Sequence, residues 1–201
     1  MQTMDGGRIG FRTLEEATPG DWRRMIEAEA ADRLARTTGD RLLGLLSSMQ
    51  NADPLGSPIN LYMHSLQTAT RAMRAGEDDE LVVVALFHDL GEALCDNHHG
   101  VIAAELLSPW ISERRTWLLV QHVAFQQFHF INHPTVDRNA RDRFVGHPYF
   151  DETAHFCRSY DQNSFDSDYP TAPLRDFVPT VRRFFAGPKP PLKFNPPGSL
   201  T

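Results

Sequence analysis

The chain contains a run of five apolar residues, 83–87, that leads directly into the charged pair His88 and Asp89. Such a run predicts an element that is buried on most of its sides. A buried carboxylate persists in a folded protein only where a cation or a metal ion pairs with it. Asp89 therefore needs a partner in the interior of the fold.

Further histidine and aspartate residues stand on both sides of this pair. On one helix, His88 and Asp89 would lie about a quarter turn apart and could face one buried point. Imidazole nitrogens and carboxylate oxygens bind iron, manganese and zinc, and a carboxylate can bridge two ions. A single buried histidine is more often a core residue with one hydrogen bond, but an ordered set favours a metal site. The candidate ligands are His64, His88, Asp89, His98 or His99, His122 and Asp161.

Several side chains near these candidates have open roles. Gln126 and His129 follow His122 by four and seven residues, so on a helix they would share its face and could contact what it binds. His129 could equally lie on the surface. Asp161 could simply end a helix in a turn, with Asp166 and Asp168 as rival ligands.

Two side chains beside the pair could support the ligands without binding metal. His98 and His99 lie at a helix start, and only one of them is expected to be a ligand. The other would face solvent or support a ligand from outside the metal site. Glu92, four residues after His88, could accept a hydrogen bond from a ligand imidazole.

Charge and cysteine usage exclude several classes of protein. The net charge of −6 disfavours a broad nucleic-acid-binding surface. The two cysteines, Cys95 and Cys157, cannot form a disulfide framework or a structural zinc knuckle, which favours a reducing cytoplasm. The start of the chain has no signal-peptide pattern, and no apolar run is long enough to span a bilayer. We expect a cytoplasmic protein that acts on a small molecule, without a nucleic-acid or membrane partner.

Apolar residues recur at helical spacing, and no stretch alternates convincingly as a strand does, so the sequence predicts an all-α fold. We predict a single helical domain over residues 1–186, with a metal-site core at 59–165. The proline-rich tail, 187–201, would be extended and could lie against a neighbouring copy in an oligomer. The polar segment 132–148 is expected to be an excursion or lid. The predicted helices cover about 20–49 in one or two pieces, 58–76, the His-Asp run, 100–109, 112–130, 149–161 and 174–185.

The ordered ligand candidates resemble those of the HD-domain superfamily, which is named for an adjacent His-Asp pair. Its pattern of His, His-Asp and a late Asp is matched by His64, by His88 with Asp89, and by Asp161. The further histidines, His99 (or His98) and His122, resemble those of the mixed-valent diiron oxygenases, which include myo-inositol oxygenase and the oxygenases that cleave C–P bonds in hydroxyphosphonates. The resemblance covers about residues 59–165.

This resemblance implies an HD-domain helical bundle with two irons in an Fe(II)/Fe(III) state and O2 as co-substrate. The implied reaction cleaves a C–C or C–P bond next to a hydroxyl of a polyol-like or hydroxyphosphonate-like molecule, with His88 and Asp89 as catalytic residues. His64, His88 and Asp161 would hold one iron, His99 and His122 the other, and Asp89 would bridge them. His99 is preferred to His98 because residues 100–107 resemble the segment after the family's ligand.

Substrate recognition is where the chain departs from that family. Arg158 matches a substrate-binding arginine of the phosphonate-cleaving enzymes, and a guanidinium suits a phosphonate or carboxylate. Gln126 stands where a basic residue is expected, which disfavours a doubly anionic phosphonate, and residues 53–57 lack the tyrosine and glutamate of an iron-gating pair. The alternative is an HD phosphohydrolase that acts on a nucleotide or other phosphate ester. A third hypothesis is a non-catalytic metal-binding or interaction domain.

Overall fold

The computed structural model describes residues 10–35 and 37–187, and within these ranges the chain forms α-helices, shorter 3-10 turns and no strand. The predicted all-α fold is confirmed. The chain divides into two compact units, residues 1–37 and 38–201. The α-helices of the described ranges are α1 (Pro19–Ala35), α2 (Thr38–Ser48), α3 (Leu61–Arg74), α4 (Asp79–Phe87), α5 (His99–Leu107), α6 (Glu113–Gln126), α7 (Phe150–Phe156) and α8 (Leu174–Phe184).

The first unit contains a 3-10 turn at Leu14–Glu16 and helix α1. Thr18 and Asp21 cap α1 reciprocally: the Asp21 carboxylate accepts the Thr18 N–H at 2.9 Å, and the Thr18 hydroxyl accepts the Asp21 N–H at 3.2 Å. Such caps pair N–H groups that have no partner inside the helix.

Helix α4 is the central element of the second unit. The Asp78 carboxylate caps its start by accepting the Leu81 N–H at 2.7 Å, and every residue from 81 to 87 is buried. Helices α3, α6 and α8 pack around it. Burial of a side chain such as Phe87 contributes about 1.5–3 kcal/mol to the stability of the fold. The buried run therefore holds the start of the His88–Asp89 pair in place.

The His-Asp pair lies at the end of α4, and not within one helix as the sequence predicted. The last α-helical residue is Phe87 and His88 is the C-cap. Asp89 has φ −100° and ψ 9°, outside the α-helical region, and starts the 3-10 turn Leu90–Ala93. The chain therefore turns away from α4 at the pair, and the carboxylate is placed by the turn.

Two glycines allow the backbone to approach closely beside this pair. A Cβ on Gly91 would lie 2.3 Å from the carbonyl oxygen of His99, and one on Gly100 would lie 2.5 Å from that of Leu119. Real Cβ contacts are never so short, so neither position accepts a side chain without a backbone shift. The two glycines therefore allow the start of α5 to pack directly against the 3-10 turn Leu90–Ala93 and against α6.

The last candidate ligand is carried by a π-helical turn. The sequence predicted one helix over 149–161, but α7 ends at Phe156 and continues as a π turn, Cys157–Asp161. The Gln162 N–H bonds to the Cys157 carbonyl at 3.0 Å, which is the five-residue spacing of a π-helix. The wider turn places Asp161 in the interior, where it is fully buried.

The segment 132–148 packs on α6 through aromatic contacts. The His147 ring stacks on Trp117 with 4.2 Å between ring centres and 7° between planes. A role as a lid stays a prediction. The predicted tail, 187–201, lies outside the described residues except for Gly187, so its contact with a neighbouring copy also stays a prediction. None of the helices in the described ranges has an apolar stretch long enough to cross a bilayer.

Candidate metal centre

Six predicted ligands come together in the second unit, and all of them are buried. They arrive from five places: the first turn of α3, the end of α4, the start of α5, the last half of α6, and the π turn after α7. The side chains concerned are His64, His88, Asp89, His99, His122 and Asp161.

Asp89 lies between two pairs of histidines. Its Oδ2 is 3.2 Å from Nε2 of His64 and 3.1 Å from Nε2 of His88. Its Oδ1 is 3.4 Å from Nε2 of His99 and 3.2 Å from Nε2 of His122. Each carboxylate oxygen thus faces a different pair, which is the arrangement of a carboxylate that bridges two ions.

Asp161 adds a second carboxylate to one of the pairs only. Its Oδ1 is 3.3 Å from Nε2 of His64 and 3.8 Å from Nε2 of His88, and it accepts a hydrogen bond from Gln126 Nε2 at 2.9 Å. Its Oδ2 is buried and has no hydrogen-bond partner among the described residues. A buried carboxylate oxygen without a partner is costly, and a cation at this point would remove the cost.

The other ring nitrogen of every histidine is held by a backbone carbonyl. A carbonyl oxygen can only accept, so each Nδ1 carries a hydrogen, and each Nε2 is left for a metal ion or a second proton. The Nδ1 atoms of His64, His88, His99 and His122 donate at 2.7–2.9 Å to the carbonyls of Ser164, Ala85, Asp96 and Leu119 respectively.

These fixed tautomers test whether metal ions fit the site. Nε2 of His64 lies 3.1 Å from Nε2 of His88, and the same distance separates Nε2 of His99 and His122. At this distance the two Nε2 atoms of each pair repel unless a proton lies between them or a metal ion lies beside both. Four imidazole nitrogens and two carboxylates form a donor set that suits iron, manganese or zinc, so the residues fit two divalent or trivalent ions.

The electrostatics of the centre agree with this reading. Burial lowers the pKa of His64, but contacts with Asp161 and Asp89 outweigh burial and raise that pKa to about 9. Burial likewise raises the pKa of Asp161, but hydrogen bonds from His64 and His88 hold it below its usual range. The two carboxylates thus attract positive charge, and protons and metal ions compete for the same Nε2 lone pairs.

The start of α5 decides between the two adjacent histidines. His99 is buried beside Asp89, whereas His98 is exposed and makes no contact with the other five residues. Glu92 Oε1 lies 3.5 Å from His99 Nδ1, so it approaches the imidazole of His99 and not that of His88. Burial and the charge of Asp89 raise the pKa of Glu92 to about 7.

We expect His99→Ala to lose one of two bound ions and His98→Ala to lose none. The reason is that only the His99 ring presents Nε2 to Asp89 and His122. Metal per chain, measured by inductively coupled plasma mass spectrometry after anaerobic loading with iron, checks the pair of variants. Equal metal content in the two variants would contradict the assignment of His99.

The residues predicted to bind substrate lie on the Asp161 side of the centre. Gln126 donates to Asp161, and His129, three residues further along in the 3-10 turn Gln127–His129, is partly buried. Arg158 is exposed, and its guanidinium lies 3.4 Å from Nδ1 of His155. Contact of any of these residues with a substrate stays a prediction. No sequence pattern pointed to Ser164, whose backbone carbonyl accepts from His64 Nδ1 and orients that ring.

Comparison with known proteins agrees with this geometry. The HD domain family matches residues 61–149, a range that holds five of the six ligands and ends before Asp161. Over 96 aligned residues, the chain is 28% identical to the [1-hydroxy-2-(trimethylamino)ethyl]phosphonate dioxygenase (glycine-betaine-forming) of Leisingera caerulea. The aligned stretch covers 42% of this chain. The chain spans about half (49%) of the length of that relative. The resemblance to the HD-domain superfamily is confirmed, and the matches support a metal-dependent enzyme of the HD type.

Proposed function

We propose, starting from the HD-type centre just described, that this chain is a diiron oxygenase. It would use O2 to cleave a C–C or C–P bond next to a hydroxyl of a polyol-like or hydroxyphosphonate-like small molecule. The observation that carries the proposal is Asp89, whose two oxygens each face a separate pair of histidine Nε2 atoms at 3.1–3.4 Å. A carboxylate placed in this way serves two ions, whereas a site for one ion needs neither His99 nor His122. The relative from Leisingera caerulea, which is named as a dioxygenase, supports the same reaction class.

The distances support the division of ligands that the family resemblance implies. His64, His88 and Asp161 would hold one iron, His99 and His122 the other, and Asp89 both. When bound, the two irons in an Fe(II)/Fe(III) state would supply the activation of O2 and the oxidation of the carbon that bears the hydroxyl.

The chain itself would orient the ligands and exclude water. The carbonyl bonds at Nδ1 fix the ring planes of the four histidines before any substrate arrives. The buried ring of Phe156 lies edge-on to His88 with 5.7 Å between ring centres, and Phe165 lies 4.5 Å from the ring of His64. These apolar rings keep solvent from the ligands of the first ion, which strengthens electrostatic interactions inside the pocket.

Metal analysis and oxygen consumption test the proposal together. We expect protein purified without oxygen and loaded with iron to bind two irons per chain and, after partial oxidation, to give the electron paramagnetic resonance signal of a coupled Fe(II)/Fe(III) pair. Addition of a hydroxyphosphonate or polyol from a test panel should perturb that signal and start oxygen uptake. A chain that binds one manganese, cobalt or nickel ion and hydrolyses phosphate esters without oxygen uptake would be a phosphohydrolase instead.

A further inference from the structure

The segment between α6 and α7 brings further basic side chains to the Asp161 side of the centre. Arg138 Nε donates to the carbonyl of Phe128 at 3.0 Å. The guanidinium carbon of Arg141, in the 3-10 turn Ala140–Phe144, lies 3.3 Å from the centre of the Phe128 ring. Because Phe128 directly continues α6, the two contacts hold this segment against the end of that helix.

Arg141 and His129 each have a buried polar atom without a partner. Neither Nε of Arg141 nor Nε2 of His129 makes a hydrogen bond among the described residues, although both atoms are inaccessible to solvent. The Arg141 guanidinium also forms no ion pair within the described part of the chain, and its contact with Phe128 satisfies none of its N–H groups. Buried N–H groups are nearly always paired, so the Arg141 Nε–H indicates a missing acceptor, and Nε2 of His129 can donate to the same acceptor when it carries the hydrogen.

The charges around these atoms are mostly positive. Burial lowers the pKa of His129, and the charges of Arg141, Arg158 and Arg138 lower it further, opposed by Asp161. Three arginines and one carboxylate therefore act on His129, in a chain whose net charge is −6. Such a local excess attracts an anion.

Helix α6 places this region next to the metal ligands. His122 and Gln126, four residues apart, lie on one face of α6, and His129 follows three residues later in the 3-10 turn Gln127–His129 that continues the helix. His122 contacts Asp89 at 3.2 Å and Gln126 contacts Asp161 at 2.9 Å. His129 comes next along the chain, and among the neighbouring charges that of Arg141 acts on it most strongly.

We propose that Arg141 and His129 bind the anionic group of the substrate, a carboxylate or a phosphonate, beside the metal centre. The subsite rests on the proposed function, because the anion would belong to the molecule whose hydroxyl meets the ions. Arg141 supplies, from a different segment, the positive charge that Gln126 does not carry. A guanidinium presents several N–H groups to such an anion, and Phe128 keeps its plane in place.

Calorimetric titration of the iron-loaded protein without oxygen tests the subsite. The probes are (hydroxymethyl)phosphonate, glycolate and the neutral ethylene glycol. We expect Arg141→Gln to raise the Kd of the better-bound anion roughly 10- to 100-fold, which is the range for a lost hydrogen bond between charged groups. The iron content and the thermal transition should stay unchanged. Arg141→Lys should recover part of the affinity, and His129→Gln should weaken binding of the same anion.

The control is Arg143→Gln, on the same 3-10 turn, because Arg143 is exposed and lies 4.6 Å from the ring of Phe144. It should bind both anions as the unsubstituted protein does. Preference for one anion identifies the group as phosphonate or carboxylate, and either preference supports the subsite.

Equal Kd values for Arg141→Gln and the unsubstituted protein would overturn the subsite, as would the failure of both anions to bind the unsubstituted protein. If Arg141→Gln does not fold, the Kd values of Arg141→Lys and His129→Gln decide in the same way. Anion binding that depends on Arg141 in a protein that consumes no oxygen would support the subsite and reject the oxygenase. If the protein consumes oxygen and the Arg141→Gln variant binds the anion with unchanged affinity, the oxygenase is supported and the subsite is rejected.

Discussion

Asp89→Asn is expected to empty both ion positions. An asparagine keeps the shape of the side chain but has one oxygen, and its amide N–H groups would face one histidine pair and donate to the Nε2 lone pairs. Since Asp89 contacts all four histidine Nε2 atoms at 3.1–3.4 Å, neither ion would keep a full ligand set. The loss of metal affinity should exceed the roughly 10- to 100-fold that follows loss of an outer hydrogen-bond partner. Metal per chain and oxygen uptake measure the effect.

The control for this variant is Asp96→Asn. Asp96 is exposed, and only its backbone carbonyl, which the substitution leaves in place, contacts His99. This control removes the same charge from the same part of the chain and should retain both ions. A fully loaded Asp89→Asn variant would rule out a shared carboxylate.

Gly91→Ala should cause the largest loss of stability among single-methyl additions to this part of the chain. The new Cβ would lie 2.3 Å from the carbonyl oxygen and 2.7 Å from the Cα of His99. Backbone atoms cannot rotate away as a side chain can, so the start of α5 must move. We expect a decrease of about 1–3 kcal/mol or more in the free energy of unfolding and a lower iron content, because His99 moves with the backbone. Denaturant unfolding followed by circular dichroism and metal analysis measures both.

Gly44→Ala is the matched substitution at a glycine that has room. A Cβ at Gly44, inside α2, would meet nothing within 4 Å. Because glycine is costly inside a helix, alanine there should stabilise the fold by about 0.5–1 kcal/mol. Unchanged stability of Gly91→Ala, with both ions bound, would show that the approach of α5 does not position His99.

Much of this centre could be predicted from the sequence because helical patterns carry local information. The apolar run predicted a buried element next to His88 and Asp89, and residues 81–87 are indeed buried. Helical spacing placed His122 and Gln126 on one face of α6, but the predicted helix ends at Gln126, and His129 lies in the 3-10 turn that follows. The division of ligands between two ions came from the family resemblance and stays a prediction.

The remaining features depend on contacts that periodicity does not encode. The end of α4 at Phe87 is set by the turn that Asp89 enters, and the π turn at Cys157–Asp161 adds a residue that a helical repeat does not show. Arg141 reaches the ring of Phe128, just after the end of α6, only because the segment 132–148 folds back onto that helix. Its position in the sequence, in a polar stretch that contains two His-Pro steps, indicated a surface residue.

The bond between His64 and the Ser164 carbonyl also bears on the order in which the two halves of the centre assemble. Asp89, His99 and His122 lie within 34 consecutive residues, so their half requires only short loops to close. The other half joins His64 to a carbonyl and a carboxylate about a hundred residues later, and that late segment also receives Arg71 at the Asn163 carbonyl, 2.8 Å away. Long loops close at a higher entropic cost and more slowly. A nascent chain can thus bring His99 and His122 together with Asp89 while it is still being synthesised. The pair of His64 and His88 acquires its second carboxylate, Asp161, only when the last third of the chain has docked.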